Sequence, residues 1–464
     1  MASKTNPQLS MPGFNQPLHI GPRNNVLGDF FPGFPMALDS NFYHDEYPGD
    51  LVTHREILMM QVMNNITEKP EWNEKVFDEK ITTRWRNEIA QSGQDVTIKM
   101  MDWIIKELQW KTEMHKEKGI VTVFDVGVIR SDKAVSKDLQ DALKNAVKPL
   151  EDVPNDQKDY HPNSDDKVVD LVHPSLFPVV YGRTRVLRAN VMDLETCFNY
   201  IGQGEIIPMV AKDYRGKPGY IALRLVRDTI DRLASFSAKF QWLPCEVELL
   251  DNDECRIVSY INNAHPVCHR SLYKTVEKII ARAVPLWEES LNKDESRRIN
   301  FRESDYNHHP EVRLGKGRSR RITFRRVECG EHPEEEPHYN CSVIEEEEAA
   351  FEEMYEKWAK ARPIILPEPG EFNRETKNRK RLNMRRHFPD TNLQVVVKLA
   401  NIELTPEKPI YDGGSWHIEG QMNERICATA IYYYDNENIT ENTLDFRQRG
   451  MAPWSTGQEL QCIQ

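Results

Sequence analysis

The chain has 464 residues and a formal net charge of −12, with 39% hydrophobic and 29% charged residues. That length exceeds one ordinary core and predicts two domains or one elaborated large domain. The acidic balance argues against general binding to nucleic acid or anionic membranes, and no run approaches the roughly 18 apolar residues of a membrane span.

Residues 1–67 are rich in Pro, Gly and Asn (PGF, PLHIGPRNN, FFPGFP), which predicts an extended segment wrapping a body. The opening MASKTNPQLSMPGFNQPLHIG lacks the continuous apolar core of a signal peptide, and the eight cysteines form no CxxC pair. Both point to a reducing compartment, cytoplasmic or nuclear, without a zinc ribbon or a dense disulfide framework. From Glu71 to Lys118 a helical stretch is expected, with Trp103, Ile104 and Leu108 on one face. GIVTVFDVGVIRSD (119–132) alternates like a strand.

Residues 220–243 carry a helical pattern through Leu223, Leu225, Val226, Ile230 and Leu233. FQWLPCEVELLDNDECRIVSYINNAHP then reads as two strands around a turn at Asp251-Asn252-Asp253. A helix follows from Leu272 to Leu291, burying Val276, Ile279, Ile280 and Ala283.

Seven basic residues lie between Arg313 and Arg326, and eleven glutamates follow within 328–353. Clustered cations release counterions from nucleic acid, but the neighbouring acids compete for them, so a mutually screened surface is the expectation. The run RETKNRKRLNMRR (374–386) has no interleaved aromatics for base stacking and reads as a solvated linker. The expected domains are 1–67, a mixed helical and β region at 68–390 with a charged linker from 313, and a β region at 391–464.

In that last region LQVVVKLANIEL (393–404) is a strand candidate, and Ile426 to Tyr434 alternate with both faces largely apolar. Between them lies GGSWHIEG (413–420), with His417 and Glu419 one residue apart. Residues i and i+2 share a face on a strand and diverge on a helix, so a His-x-acid metal pair requires extended backbone. Two histidines and a carboxylate on one face leave iron open positions for an oxidant and a co-substrate.

Fourteen histidines and 73 acids make about two His-x-acid pairs expected by chance. Six His-x-Glu pairs are present, at His44, His54, His115, His309, His332 and His417. The helix-like or loop context of the first five sets them aside. His417 and Glu419 are the candidate metal ligands, against the plain alternative of incidental surface charges.

The block LQVVVKLANIELTPEKPIYDGGSWHIEGQMNERICATAIYYYDNENIT resembles the signature of the fungal family called domain of unknown function 4246. PGFNQPLHIGPRNN, NFYHDEYPGD, CRIVSYINNAHP and RPIILPEPGEF belong to the same pattern, so the likeness runs from about residue 14 to 447. Members look, in their C-terminal half, like the double-stranded β-helix of Fe(II)/2-oxoglutarate-dependent oxygenases. The resemblance implies an α+β protein ending in a jelly-roll-like β-helix, with His417 and Glu419 as first histidine and carboxylate of the iron site.

It further implies Fe(II) and 2-oxoglutarate as cofactors and hydroxylation-type oxidation of an unknown substrate. Glu419 stands where most such oxygenases have Asp. The second histidine and the basic anchor for 2-oxoglutarate lie on later strands in that fold, yet no histidine follows His417. The expectation is therefore an incomplete β-helix in a chain truncated at its C-terminus. His265 and His387 are the nearest upstream substitutes. The alternative is an inactive relative, a noncatalytic binding or scaffold protein, which an open sheet edge would expose to self-association.

Overall fold

The computed structural model describes residues 52–187, 192–209, 237–292, 298–299, 366–373, 382–389, 391–421, 423–424 and 426–447. The N-terminal segment up to residue 51, most of the expected 220–243 helix, and the basic and acidic runs of 313–353 lie outside them. The described residues form two compact units, an α+β unit from 113–292 with 382–447, and a helical unit from 52–112 with 298–299 and 366–373.

In the helical unit, α1 (His54–Thr67) starts where the Thr53 hydroxyl accepts the Glu56 amide, a standard N-cap. This helix corrects the expectation of an extended segment as far as residue 67: the apolar LMMQVM run lies within it. The expected helical stretch of 71–118 is three helices: α2 (Trp72–Lys75), α3 (Glu79–Gln91) and α4 (Ile98–Lys118). Asp78 caps α3 by accepting the Lys80 and Ile81 amides, and Gly93, at φ +77°, breaks the chain before α4. Trp103, Ile104 and Leu108 are buried together on α4, as their spacing requires.

In the α+β unit, β1 (Val121–Phe124) and β2 (Val128–Arg130) form a hairpin where one strand was expected. The Ser136 hydroxyl caps α5 (Lys137–Glu151). The strand β3 (Val168–Val172) follows, then the two-residue strands β4 (Val179–Val180), β5 (Arg185–Val186), β6 (Glu205–Ile206) and β7 (Phe240–Gln241). The predicted hairpin appears as β8 (Cys245–Leu249) and β9 (Cys255–Ile257), and the predicted helix as α6 (Arg270–Leu291). After the short α7 (Met384–His387) come β10 (Leu393–Val395) and β11 (Leu399–Ile402).

The candidate strand 393–404 is thus two strands serving two sheets. β10 extends the β8–β9 hairpin into a three-stranded sheet, and β11 pairs antiparallel with β3. The core joins Leu143 and Val147 of α5, Val169 and Val172 of β3, Val247 of β8, and Leu272, Tyr273 and Val284 of α6.

Among the described residues the sheets are small and antiparallel, and no closed barrel is formed. The expected strand order around GGSWHIEG is corrected on the same ground. Residues 411–418 and 426–434 form neither strand nor helix, and make no ladder among the described residues. The period of two in 426–434 does hold: Tyr432 and Tyr434 pack against the core, while Ile431 and Tyr433 face outward. Both faces had been expected to be buried.

Candidate metal pair and the polar cluster beside it

The backbone of GGSWHIEG is positioned from both ends. Gly413 sits at φ +91° and Gly420 at φ +73°, where a side chain would be strained; a Cβ on Gly420 would also meet Ile426 at 2.9 Å. Just beyond, Asn423 is fully buried. Its carboxamide accepts the Ser237 amide at 2.9 Å and donates to the Ser237 carbonyl at 2.9 Å and to the Tyr181 hydroxyl at 3.1 Å. Glu424 accepts the Trp242 amide at 2.8 Å, so the segment after the pair is stitched to the β7 region.

The local backbone brings the two candidate ligands together. His417 Nδ1 donates to the Ser415 carbonyl at 2.8 Å, which leaves Nε2 facing Glu419 Oε1 at 3.4 Å. A ring whose Nδ1–H is fixed by a carbonyl presents its other nitrogen as a lone pair, the arrangement found in metal-ligating histidines. Two lone pairs at that separation repel unless a proton or a cation lies between them.

The His417 side chain is 63% exposed and that of Glu419 30%. Lys398 is the cation at the pair, with its Nζ 3.3 and 3.2 Å from the two Glu419 oxygens. Lys398 lies immediately before β11, and its Nζ is 5.8 Å from the centroid of the Trp242 ring.

Trp242 leads to a second group that the sequence reading missed. Its ring meets that of His173 edge-on at 6.1 Å, and His173 meets His161 edge-on at 5.6 Å. His161 Nδ1 lies 2.9 Å from Asp170 Oδ2. The cause is the register. Tyr160 bridges Val169, the His161 amide donates to the Val168 carbonyl, and the Asp170 amide donates to the Asp159 carbonyl, so 159–161 runs back along β3.

The reversal in PNSDDK needs left-handed backbone at Asn163, Asp165 and Asp166, residue types that tolerate it. Asp170 is on β3 and His173 just past its end, beside Lys398 in the pairing of Val172 with Leu399. Both Asp170 and His173 are buried. Burial pushes the His173 imidazole below its ordinary value; Asp170 opposes this and Lys398 reinforces it.

The upstream substitutes occupy neither cluster. His265 Nδ1 accepts the Val267 and Cys268 amides and its ring stacks on Phe198, so it organises the turn into α6. His387 ends α7, with Nδ1 against the Asn383 carbonyl at 2.7 Å. The signal for the missed group was HPNSDDKVVDLVHP itself: two histidines flanking a β-branched run with an aspartate inside it.

A chain with this α+β unit and a signature block that sets His417 beside Glu419 belongs to a defined family. The family model described as "Protein of unknown function (DUF4246)" matches residues 98–464. The model of its N-terminal domain matches residues 11–88. The chain is therefore a member of the DUF4246 family. No curated protein and no solved structure matches it.

Proposed function

We propose that this chain is a metal-dependent oxygenase of the two-histidine-one-carboxylate kind, using Fe(II) and 2-oxoglutarate, with His417 and Glu419 as two of the iron ligands. One observation carries the reading: Nδ1–H of His417 is fixed by the Ser415 carbonyl, which turns Nε2 towards Glu419 Oε1 at 3.4 Å. Donors bound to one ion at bonds of about 2.1 Å stand roughly 3 Å apart when at right angles, so the pair fits an ion with small movement. Iron, when bound, supplies the activation of O₂, driven by oxidation of 2-oxoglutarate.

The chain's own residues bind and orient. Glu419 would offset one of the ion's two charges, and Ser415 holds the His417 ring. Lys398, which would give up Glu419 to an ion, is the nearby cation that would take a carboxylate of the co-substrate. The jelly-roll architecture belongs to the same proposal, as the frame in which such a pair is usually carried.

Anaerobic addition of Fe(II) and 2-oxoglutarate, followed by exposure to O₂, should yield succinate from the wild-type chain and none from His417→Ala. No succinate from either protein, under conditions where the wild type has taken up iron, would refute the oxygenase reading. Lys398→Ala should tighten Fe(II) binding, by removing a competing cation, and raise the KM for 2-oxoglutarate.

A second reading rests on the same lysine. Lys398 contacts both Glu419 oxygens, and the pair is largely exposed, which suits a surface ion network in a noncatalytic binding protein. That reading predicts no Fe(II) binding that depends on His417.

A further inference from the structure

We propose that His161, Asp170 and His173 form a second divalent-cation site, separate from His417 and Glu419 and independent of the oxygenase reading. The three side chains each offer one ligand atom, and these atoms all lie within 4.8 Å of one another. Two imidazoles and a carboxylate are a donor set for first-row divalent ions such as Zn²⁺, Fe²⁺ and Co²⁺, rather than for Mg²⁺ or Ca²⁺, which favour all-oxygen sets.

The site is built rather than incidental. Asp170 is fixed by β3, which pairs with β11 and is bridged by Tyr160 of the returning 159–161 segment. His173 is held by the Ser175 amide, which donates to its Nδ1 at 3.2 Å, and by the Trp242 ring packed edge-on against it. Trp242 is itself anchored, its indole N–H donating to the Ser175 hydroxyl at 3.0 Å. A neutral imidazole that binds an ion through one nitrogen keeps its N–H on the other, so ion uptake at either nitrogen of His173 exchanges the Ser175 hydrogen bond for a metal bond. His161 supplies the accessible side: its side chain is 45% exposed, against 5% for Asp170, so an ion can enter and keep water in its remaining positions.

A single ion with bonds of about 2.1 Å needs its donors within roughly 3–4 Å of one another. The exposed His161 ring is the member free to close the difference. Lys398 is the cation that opposes an ion here, and its ammonium is already engaged by both oxygens of Glu419.

The test is a titration of the chelator-stripped full chain with Co²⁺, read by visible ligand-field absorption, and with Zn²⁺, read by calorimetry. His161→Ala removes an exposed ring and Asp170→Asn keeps the shape of a buried one, with folding followed by circular dichroism. Each should weaken binding of one equivalent by tenfold or more, while His417→Ala leaves that equivalent in place. The proposal is overturned if His161→Ala and Asp170→Asn both bind the ion as tightly as wild type, or if the only equivalent is lost in His417→Ala. Should Asp170→Asn not fold, His161→Ala with His173→Gln decides alone by the same criterion. Absence of any His417-dependent equivalent, with the His161-dependent one in place, would count against the oxygenase reading and leave this site standing.

Discussion

At the scale of single residues, burial decides which groups can react. Cys245 and Cys255 are buried in the core, and burial pushes their thiols up to about 12 and about 11. Cys268 and Cys427 are exposed. A brief pulse of iodoacetamide at pH 7.5, mapped by mass spectrometry, should alkylate Cys268 and Cys427 and spare Cys245 and Cys255 until the protein is unfolded. Rapid labelling of Cys245 in the native state would contradict the core described.

The histidines set the acid limit. Burial is the largest cause lowering His115 and His269 from 6.5, with the charge of Lys133 also acting on His115 and that of His265 on His269. A histidine depressed in the folded state takes up its proton first in the unfolded chain. Its contribution is therefore whole above pH 6.5 and is lost as pH falls through the folded value. The midpoint in urea should drop between pH 7 and pH 5.5, and His269→Gln should flatten that slope.

At the scale of elements, the helical unit turns on one carboxylate. Glu107 of α4 is fully buried; it accepts from Trp103 Nε1 at 2.8 Å and from Arg298 at 2.8 and 2.6 Å, and lies 3.2 Å from Lys111 Nζ. Removing one partner strands the buried cations, so Glu107→Ala should cost about 3–5 kcal/mol in urea unfolding. A change under about 1 kcal/mol would show that the network is solvated.

The helix α6 and the β8–β9 hairpin were legible in the sequence because their signals are local. The 3.6-residue spacing gave α6 almost to the residue, and Asp251-Asn252-Asp253 gave the turn between β8 and β9. The division of 393–404 was not legible, since which sheet a strand joins depends on partners more than a hundred residues away. β10 meets β8, whereas β11 meets β3. For the same reason the His161, Asp170 and His173 group was passed over. Its ligands lie close in sequence, yet only the bridge of Tyr160 to Val169 and the pairing of β3 with β11 fold them onto one spot.

At the scale of the whole molecule, the resemblance to the family was legible from about residue 14 to 447, while the family models match residues 11–88 and 98–464, so the likeness continues past residue 447. Among the described residues no helix is long and apolar enough to cross a membrane. His417 and Glu419 were legible as a pair because an i, i+2 relation is local in the chain. Their surroundings were not. Lys398 arrives at Glu419 from the start of β11, and the polar groups continue through Trp242 to His173, Asp170 and His161. The two candidate sites are thus neighbours within the α+β unit, linked through Lys398 and Trp242, each with its own ligands and its own variants.

Anaerobic Fe(II) titration of the chelator-stripped chain, with His417→Ala and Glu419→Gln alongside, tests the central claim most directly. The account predicts that the wild type binds an equivalent of Fe(II) that both variants lose, and that this equivalent is the one required for succinate formation. Fe(II) binding identical in wild type and both variants would contradict it.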